Sequence, residues 1–267
     1  MELSLVIPCY REEPHLEKNV DRVVAMFSIL KIHYEIILVD DCSPDSTRKI
    51  IELLVQKYPN LVQGVYHEKN EGRGAAFMTG FTRARGKFAG FFDIDLEVSP
   101  VYTIDCFNRL RDQNADLVIG DRIYRVHLSL LHRHILSSCY SWLVHRLLEL
   151  KLDLDTESGY KFFRSSALRN YVGKIKNKGW FWDTEVVSRF AWDGLNVIGV
   201  PCLFERNEKK ISTVKPLQDS IEYFWNLIKF RRENLAAIRA AGRRRKIMVL
   251  PAPAKVDTSS GDKKKAA

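Results

Sequence analysis

The chain has 267 residues, 46% apolar and 11% aromatic, enough to build one large α/β domain and ordinary for a soluble globular protein. No apolar run approaches the roughly 18 residues of a membrane span, and Arg11, Glu12 and Glu13 near the start are unlike a secretory signal. The net charge of +9 belongs to residues 229–267, where 12 Lys or Arg face Glu233, Asp257 and Asp262, so residues 1–228 are neutral. In chain order, Leu3 to Ile7 reads as a buried strand ended by Pro8. Pro14 to Leu30 follows as a helix with Leu16, Val20, Val23, Val24 and Phe27 on one face. Glu35 to Val39 is a second strand, closed by Asp40-Asp41 and the turn Ser43-Pro44-Asp45. A helix from Asp45 to Tyr58, a strand from Val62 to Tyr66, a helix opened by Gly72-Arg73-Gly74 and a strand from Phe88 to Phe92 complete the alternation. This pattern predicts a mostly parallel sheet flanked by helices, with ligands bound beyond the carboxyl ends of the strands.

Further along, Asp116 to Gly120, Gly159 to Phe163 and Val197 to Phe204 read as strands, and Ser129 to Leu150 and Phe181 to Trp192 as helices. From Asp219 the spacing of Ile221, Phe224, Trp225 and Ile228 predicts one long amphipathic helix, capped by Asp219 or Ser220 and ended by Gly242. Phe224, Trp225 and Phe230 are expected in the core. Pro251 to Ala267 reads as a disordered tail. The five cysteines, odd in number and without a CxxC pair, read as reduced thiols of a cytosolic protein. His127, His132, His134 and His145 cluster, but His132 and His134 do not share a helix face, which favours polar contacts over metal ligation.

Chemistry concentrates where the fourth strand ends, at Phe92-Asp93-Ile94-Asp95-Leu96-Glu97. Read as strand, alternation puts Asp93 and Asp95 on one face and Ile94 on the other, an arrangement suited to a hard divalent cation and the phosphates it carries. An acidic turn after a buried strand is the other reading. Tyr10, Asp40 and Asp93 all lie just past strand ends and can meet around one ligand.

Four segments in order, Ser4-Leu5-Val6-Ile7-Pro8-Cys9-Tyr10-Arg11-Glu12-Glu13, Ile37-Leu38-Val39-Asp40-Asp41-Cys42-Ser43-Pro44-Asp45-Ser46-Thr47, Asn70-Glu71-Gly72-Arg73-Gly74-Ala75-Ala76 and the Asp93 to Glu97 run, resemble the family 2 glycosyltransferases. Within that family the chain is most similar to polyprenyl-phosphate sugar synthases of the dolichol-phosphate mannose synthase type, over about residues 3–230. The resemblance implies a GT-A fold over residues 1–230, an acceptor or interfacial helical region at 123–150, and a basic helix end and tail at 231–267. It implies Mg²⁺ or Mn²⁺ and inversion at the anomeric carbon. It assigns Pro8, Tyr10 and Glu12 to the nucleoside pocket and a base contact to Asp40. Arg73, in place of the usual Lys, faces the donor phosphates, with Asp93 and Ile94 beside the donor and Asp93, Asp95 and Glu97 at the metal. Asp95 carries the reaction together with Arg122, Arg133 and Arg206, and those three arginines with Ser137 clasp the acceptor phosphate. Around Ser212 and Lys215 the chain departs from the family's loop pattern.

The resemblance thus implies an inverting, metal-dependent transfer of a hexose from a nucleotide sugar, GDP-mannose or UDP-glucose favoured, to a polyprenyl or dolichyl phosphate. The alternative is transfer to a hydroxyl of a surface glycan, which needs a base; Asp183 and Glu185 are the candidates, unless both are charges favoured at a helix N-terminus. The expected partners are the donor, the lipid phosphate, an anionic membrane met peripherally from the cytosol, and a membrane-anchoring subunit. Leu128, Leu130, Leu131, Trp142, Leu143 and Leu147 either face that membrane or pack on the catalytic core. The basic C-terminus suits a membrane surface or solubility; with a neutral body and no binding module, nucleic acid is not an expected partner.

Overall fold

A computed structural model describes residues 1–29, 32–124, 140–150, 154–205 and 216–247. Its strands are β1 (Leu3–Cys9), β2 (Tyr34–Asp40), β3 (Val62–Tyr66), β4 (Phe88–Phe92), β5 (Leu117–Tyr124), β6 (Tyr160–Arg164) and β7 (Val197–Phe204). They form one seven-stranded sheet in the order β3-β2-β1-β4-β6-β5-β7. β6 runs antiparallel to both its neighbours, β4 and β5, while β5 and β7 pair in parallel, as do β1 with β2 and β4. The sheet is therefore mostly parallel and helix-flanked.

The apolar runs of β1 and β2 are continuous because both faces of the sheet are covered. Leu3, Leu5 and Ile7 with Ile36 and Leu38 point to one face. There they meet helices α1 (Leu16–Ile29), α2 (Thr47–Lys57) and α4 (Tyr102–Asp112). Val6, Ile37 and Val39 point to the other face, under α3 (Arg73–Arg83), α6 (Ser165–Arg169) and α7 (Trp182–Asp193). A third apolar cluster lies away from the sheet. It joins α5 (residues 140–147), α7, α8 (Pro216–Glu233) and α9 (Leu235–Ile247) through Val144, Trp192, Leu227, Phe230 and Ile238.

The main departure from expectation is at the C-terminal side. The long helix is two, divided at Asn234, whose side-chain amide and backbone N–H both donate to the Phe230 carbonyl, at 2.8 and 3.1 Å. Gly242 lies inside α9 and ends nothing. Of the residues expected to face the core, Ile221, Phe224 and Trp225 are 59%, 42% and 64% exposed, while Phe230 is buried as expected and Leu227 turns inward beside it. The helices α4 and α6 were not anticipated: α4 buries only a narrow stripe, Thr103, Cys106, Phe107 and Leu110, among charged neighbours, and α6 is a short turn.

Candidate active site

The carboxyl ends of β1, β2 and β4 release three loops on the same edge of the sheet. Each contains a non-glycine residue with positive φ: Arg11 at 60°, Cys42 at 58° and Leu96 at 55°. Such backbone costs on the order of 1–3 kcal/mol per residue and persists where surrounding contacts hold it. The first two loops hold each other. The Glu12 backbone N–H donates to Thr47 Oγ1 at 2.9 Å, the Arg11 N–H to Ser43 Oγ at 3.2 Å, and the Ser46 N–H to the Glu13 carboxylate at 3.0 Å. Pro8 and Tyr10 are half-buried here, Glu12 is buried, and Asp40, also buried, accepts the Ser43 N–H at 3.0 Å.

Asp41, to which the sequence reading assigned nothing, fixes the next loop. Its two carboxylate oxygens accept the N–H groups of Glu71 and Gly72, both at 2.8 Å, and His67 Nδ1 lies 2.8 Å from the first oxygen. His67 Nε2 reaches Thr79 Oγ1 at 3.0 Å, so a side-chain chain runs from β2 to the body of α3. The carboxylate thus pins the turn that delivers Arg73. The doubled aspartate at the strand end was the available signal.

Arg73 lies between the rings of Phe91, 4.5 Å from its guanidinium carbon, and Trp180, at 5.0 Å. Its Nη2 donates to Asp93 at 3.0 Å and its Nη1 is 3.4 Å from Asp183. Rather than projecting outward alone, it ties the end of β4 to the start of α7. Gly159 makes room for this: a Cβ there would overlap both the Arg73 guanidinium and the Asp93 carboxylate. Asp183 also receives Lys161 Nζ at 2.6 Å, where lysine and carboxylate are both buried. Burial pulls the Lys161 pKa below the usual lysine value in spite of that partner. Glu185 is fully engaged as well, accepting the N–H of Lys176 and Asn177 and a two-pronged bond from Arg189 at 2.9 and 2.7 Å. Both candidate bases are therefore internal counter-ions.

The strand β4 stops at Phe92, and Asp93 to Leu96 form a turn closed by the Leu96 N–H on the Asp93 carbonyl at 3.3 Å. Asp93 and Asp95 therefore do not share the face of a strand, and the backbone here is an acidic turn. Ile94 is buried and its carbonyl accepts from Asn19 of α1 at 2.7 Å. Asp95 is half-buried and takes the Glu97 N–H at 3.2 Å. Among the described residues no group of three or more His, Cys, Asp and Glu converges as a metal cage. The turn supplies carboxylate oxygens, hard donors of the kind Mg²⁺ and Mn²⁺ take, and Mg²⁺ is commonly held by only one or two of them.

The turn then leads to the far end of the sheet. Val98 bridges Phe204, and the Glu205 N–H donates to the Glu97 carbonyl at 2.8 Å. Over the Phe204 ring, 5.7 Å from its centroid, lies the Arg122 guanidinium, which also covers Tyr124 at 5.5 Å. Arg122 Nε donates to Asp155 at 2.5 Å. Burial opposes its charge, the Asp155 carboxylate outweighs burial, and the pKa lies above the ordinary arginine value. Arg133, Ser137, Arg206, Ser212 and Lys215 lie outside the described residues, as do His127, His132 and His134.

The model of Glycosyl transferase family 2 matches residues 4–171. A dolichyl-phosphate beta-glucosyltransferase of Dictyostelium discoideum is 26% identical over 250 residues, 88% of this chain and 76% of that protein. The glycosyltransferase AglD of Haloferax volcanii is 29% identical over 81% of this chain, which spans only 35% of AglD. A dodecaprenyl-phosphate galacturonate synthase of Rhizobium johnstonii is 32% identical over 63% of the chain and 49% of that protein. Among solved structures, glucosyl-3-phosphoglycerate synthase of Mycobacterium tuberculosis superposes with a TM-score of 0.61 at 17% identity, over 86% of this chain and 79% of the other. A mannosyltransferase of Pyrobaculum calidifontis, in complex with GDP-Man and Mn²⁺, gives 0.55 at 13% identity, over 92% and 75%. The motifs at the strand ends, the mixed seven-stranded sheet and these likenesses agree: the chain belongs to glycosyl transferase family 2 and has the GT-A fold.

Proposed function

We propose that the protein moves a hexose from a nucleotide sugar to a polyprenyl phosphate, with inversion and with a divalent cation at the Asp95 turn. One observation carries the reading. Phe204 and Glu205 hold the Glu97–Val98 segment on one side and the Arg122 guanidinium on the other, so a carboxylate turn suited to a metal diphosphate neighbours a cation suited to a second phosphate. The relatives named for dolichyl or dodecaprenyl phosphate support a lipid-phosphate acceptor.

The cation, when bound, neutralises the charge that gathers on the leaving β-phosphate. Asp95 would hold it, with Asp93 oriented by Arg73 and Arg73 offsetting the surplus negative charge. Pro8, Tyr10, Glu12 and Asp40 would receive the nucleoside, with Asp93 and Ile94 beside the donor. At neutral pH a phosphate monoester, whose second pKa is about 6, is mostly dianionic and attacks without a base. Arg122 positions it, joined by Arg133, Ser137 and Arg206. Glycan-hydroxyl transfer is disfavoured because Asp183 and Glu185, its candidate bases, are already bound to cations and backbone N–H groups.

The outward residues of α5 and α8, Trp142, Ile221, Phe224 and Trp225, with the exposed Arg232 of α8 and Arg239 and Arg243 of α9, suit peripheral contact with an anionic membrane. No helix among the described residues is long and apolar enough to cross a membrane. The test of function is transfer of labelled sugar from UDP-glucose or GDP-mannose to phytanyl phosphate with Mg²⁺. Label is expected in the organic phase with one donor and absent with Asp95→Ala; an active Asp95→Ala enzyme, or no lipid product with any donor, overturns the reading.

A further inference from the structure

Behind the Arg73–Asp93 ion pair lies a lysine that the mechanism above does not use. Lys161 Nζ, on β6, donates to Asp183 Oδ1 at 2.6 Å and to the Ser158 carbonyl. The other oxygen of Asp183 faces Arg73 Nη1 at 3.4 Å, and Arg73 Nη2 donates to Asp93 at 3.0 Å. Side-chain exposure rises along this chain from 0% at Lys161 and 3% at Asp183 to 13% at Arg73 and 43% at Asp93, so it leads from the core to the ligand edge. A second route starts from the same ammonium. The residue after Ser158 is Gly159, whose backbone abuts the Arg73 guanidinium and the Asp93 carboxylate so closely that no Cβ would fit between. Lys161 thus reaches the Arg73–Asp93 pair through one side chain and through one stretch of backbone.

Stability alone does not account for charge at this depth, because apolar residues of similar volume often replace a buried ion pair without loss. An apolar pair would fill the space but would not hold a guanidinium. Phe91 and Trp180 flank the Arg73 guanidinium, so its place between them is set by the two carboxylates it meets. Asp93 belongs to the turn at the ligand edge; Asp183 is the one anchored from behind. With Lys161 on Oδ1, Asp183 offers Arg73 only Oδ2, which leaves Nη2 for Asp93. Without Lys161, both oxygens are available to the arginine fork, a stronger two-pronged pairing that draws the guanidinium inward and away from Asp93.

We infer that Lys161 is a positioning residue for donor binding: by occupying one oxygen of Asp183 and fixing the Ser158 carbonyl, it sets Arg73 where it meets the donor phosphates. Lys161 touches no substrate, and no bond is made or broken by it. The buried pair is therefore part of the donor site's support, not only of the core. The inference rests on the reading of Arg73 as the cation that faces the donor phosphates, and its test is separable from that reading.

Calorimetry of UDP-glucose and GDP-mannose binding with Mg²⁺ compares the full wild-type chain with Lys161→Met and with the double variant Lys161→Met/Asp183→Val, alongside urea unfolding of each. The double variant removes both buried charges together and should keep a midpoint near the wild type's; it decides the matter if Lys161→Met does not fold. Both variants should bind the nucleotide sugar that the wild type takes about tenfold more weakly, the scale seen when an outer partner of a binding group is removed. The KM for phytanyl phosphate should not change. A double variant that binds the donor as tightly as the wild type overturns the inference, by reducing the pair to a filler of the core. A parallel rise in donor and acceptor KM also overturns it, because general loosening of the fold acts on both. If the wild type binds neither nucleotide sugar, or Arg73→Gln binds the donor as the wild type does, the reading of Arg73 itself has failed.

Discussion

A carboxylate that balances two cations does different work from one set in a half-buried turn, and Asp183 and Asp95 show the contrast. Asp183 balances Lys161, which has no exposed surface, and Arg73. Removing one partner of a buried pair leaves the other uncompensated, at a cost of about 3–5 kcal/mol. Asp183→Ala should therefore lower the urea midpoint sharply, and a variant as stable as the wild type would remove the counter-ion role. Asp95, half-buried in a turn, should tolerate Ala with a near-native midpoint while transfer is lost. Glu157, in the loop before β6, adds a pH signature. With its folded pKa raised by burial first, then Asp155, to about 7 from 4.5, the native state binds the extra proton, so this residue's contribution to stability falls as pH climbs between those values. Glu157→Gln should match the wild-type melting temperature near pH 4 and exceed it at pH 8; coincident curves at both pH values would contradict the raised pKa.

Among elements, α7 is the one whose ends and faces are most tightly specified. Trp182, at its start, packs against Phe77, Phe91 and Phe163, and Gly194 ends it with φ at 78°. The Leu195 N–H returns to the Phe190 carbonyl at 3.1 Å and the Gly194 N–H to Ala191 at 3.3 Å, the pattern of a left-handed cap. Gly194→Ala should cost roughly 1 kcal/mol, read from chemical unfolding. The helix α8 carries the opposite lesson. Its i, i+3, i+4 stripe of Ile221, Phe224 and Trp225 is a legible apolar face, but which of its two apolar faces meets the protein depended on α5, α7 and α9. Trp142→Ser with Trp225→Ser should weaken binding to anionic vesicles severalfold and leave transfer to detergent-dispersed acceptor intact. Unchanged vesicle binding would exclude this surface as the contact.

For the molecule as a whole, charge is unevenly placed: residues 1–228 are neutral and residues 229–267 carry +9, and the proposed membrane contact assigns attraction to an anionic surface to that basic segment. Deleting residues 243–267 removes a net charge of +6, and each basic residue near an anionic leaflet contributes about 1 kcal/mol. Vesicle affinity should fall and lose its salt dependence; persistence of both would assign the attraction to α8 and the part of α9 that remains.

The strands and the ligand edge were legible from the chain alone, because buried parallel strands are written as short apolar runs and parallel strands end on one side of the sheet. Four motifs in order were enough to recognise the family. What tertiary structure decided is which side chains share a space: β6 inserts antiparallel between β4 and β5, bringing Gly159 against Arg73 and Asp93, and Lys161 to Asp183. Asp41's hold on the Arg73 loop arises in the same way, from contacts between segments far apart in the chain. Local pattern records the period of an element and the faces it can bury. The partner that covers each face, and the charge that ends beside each carboxylate, exist only once the elements have packed.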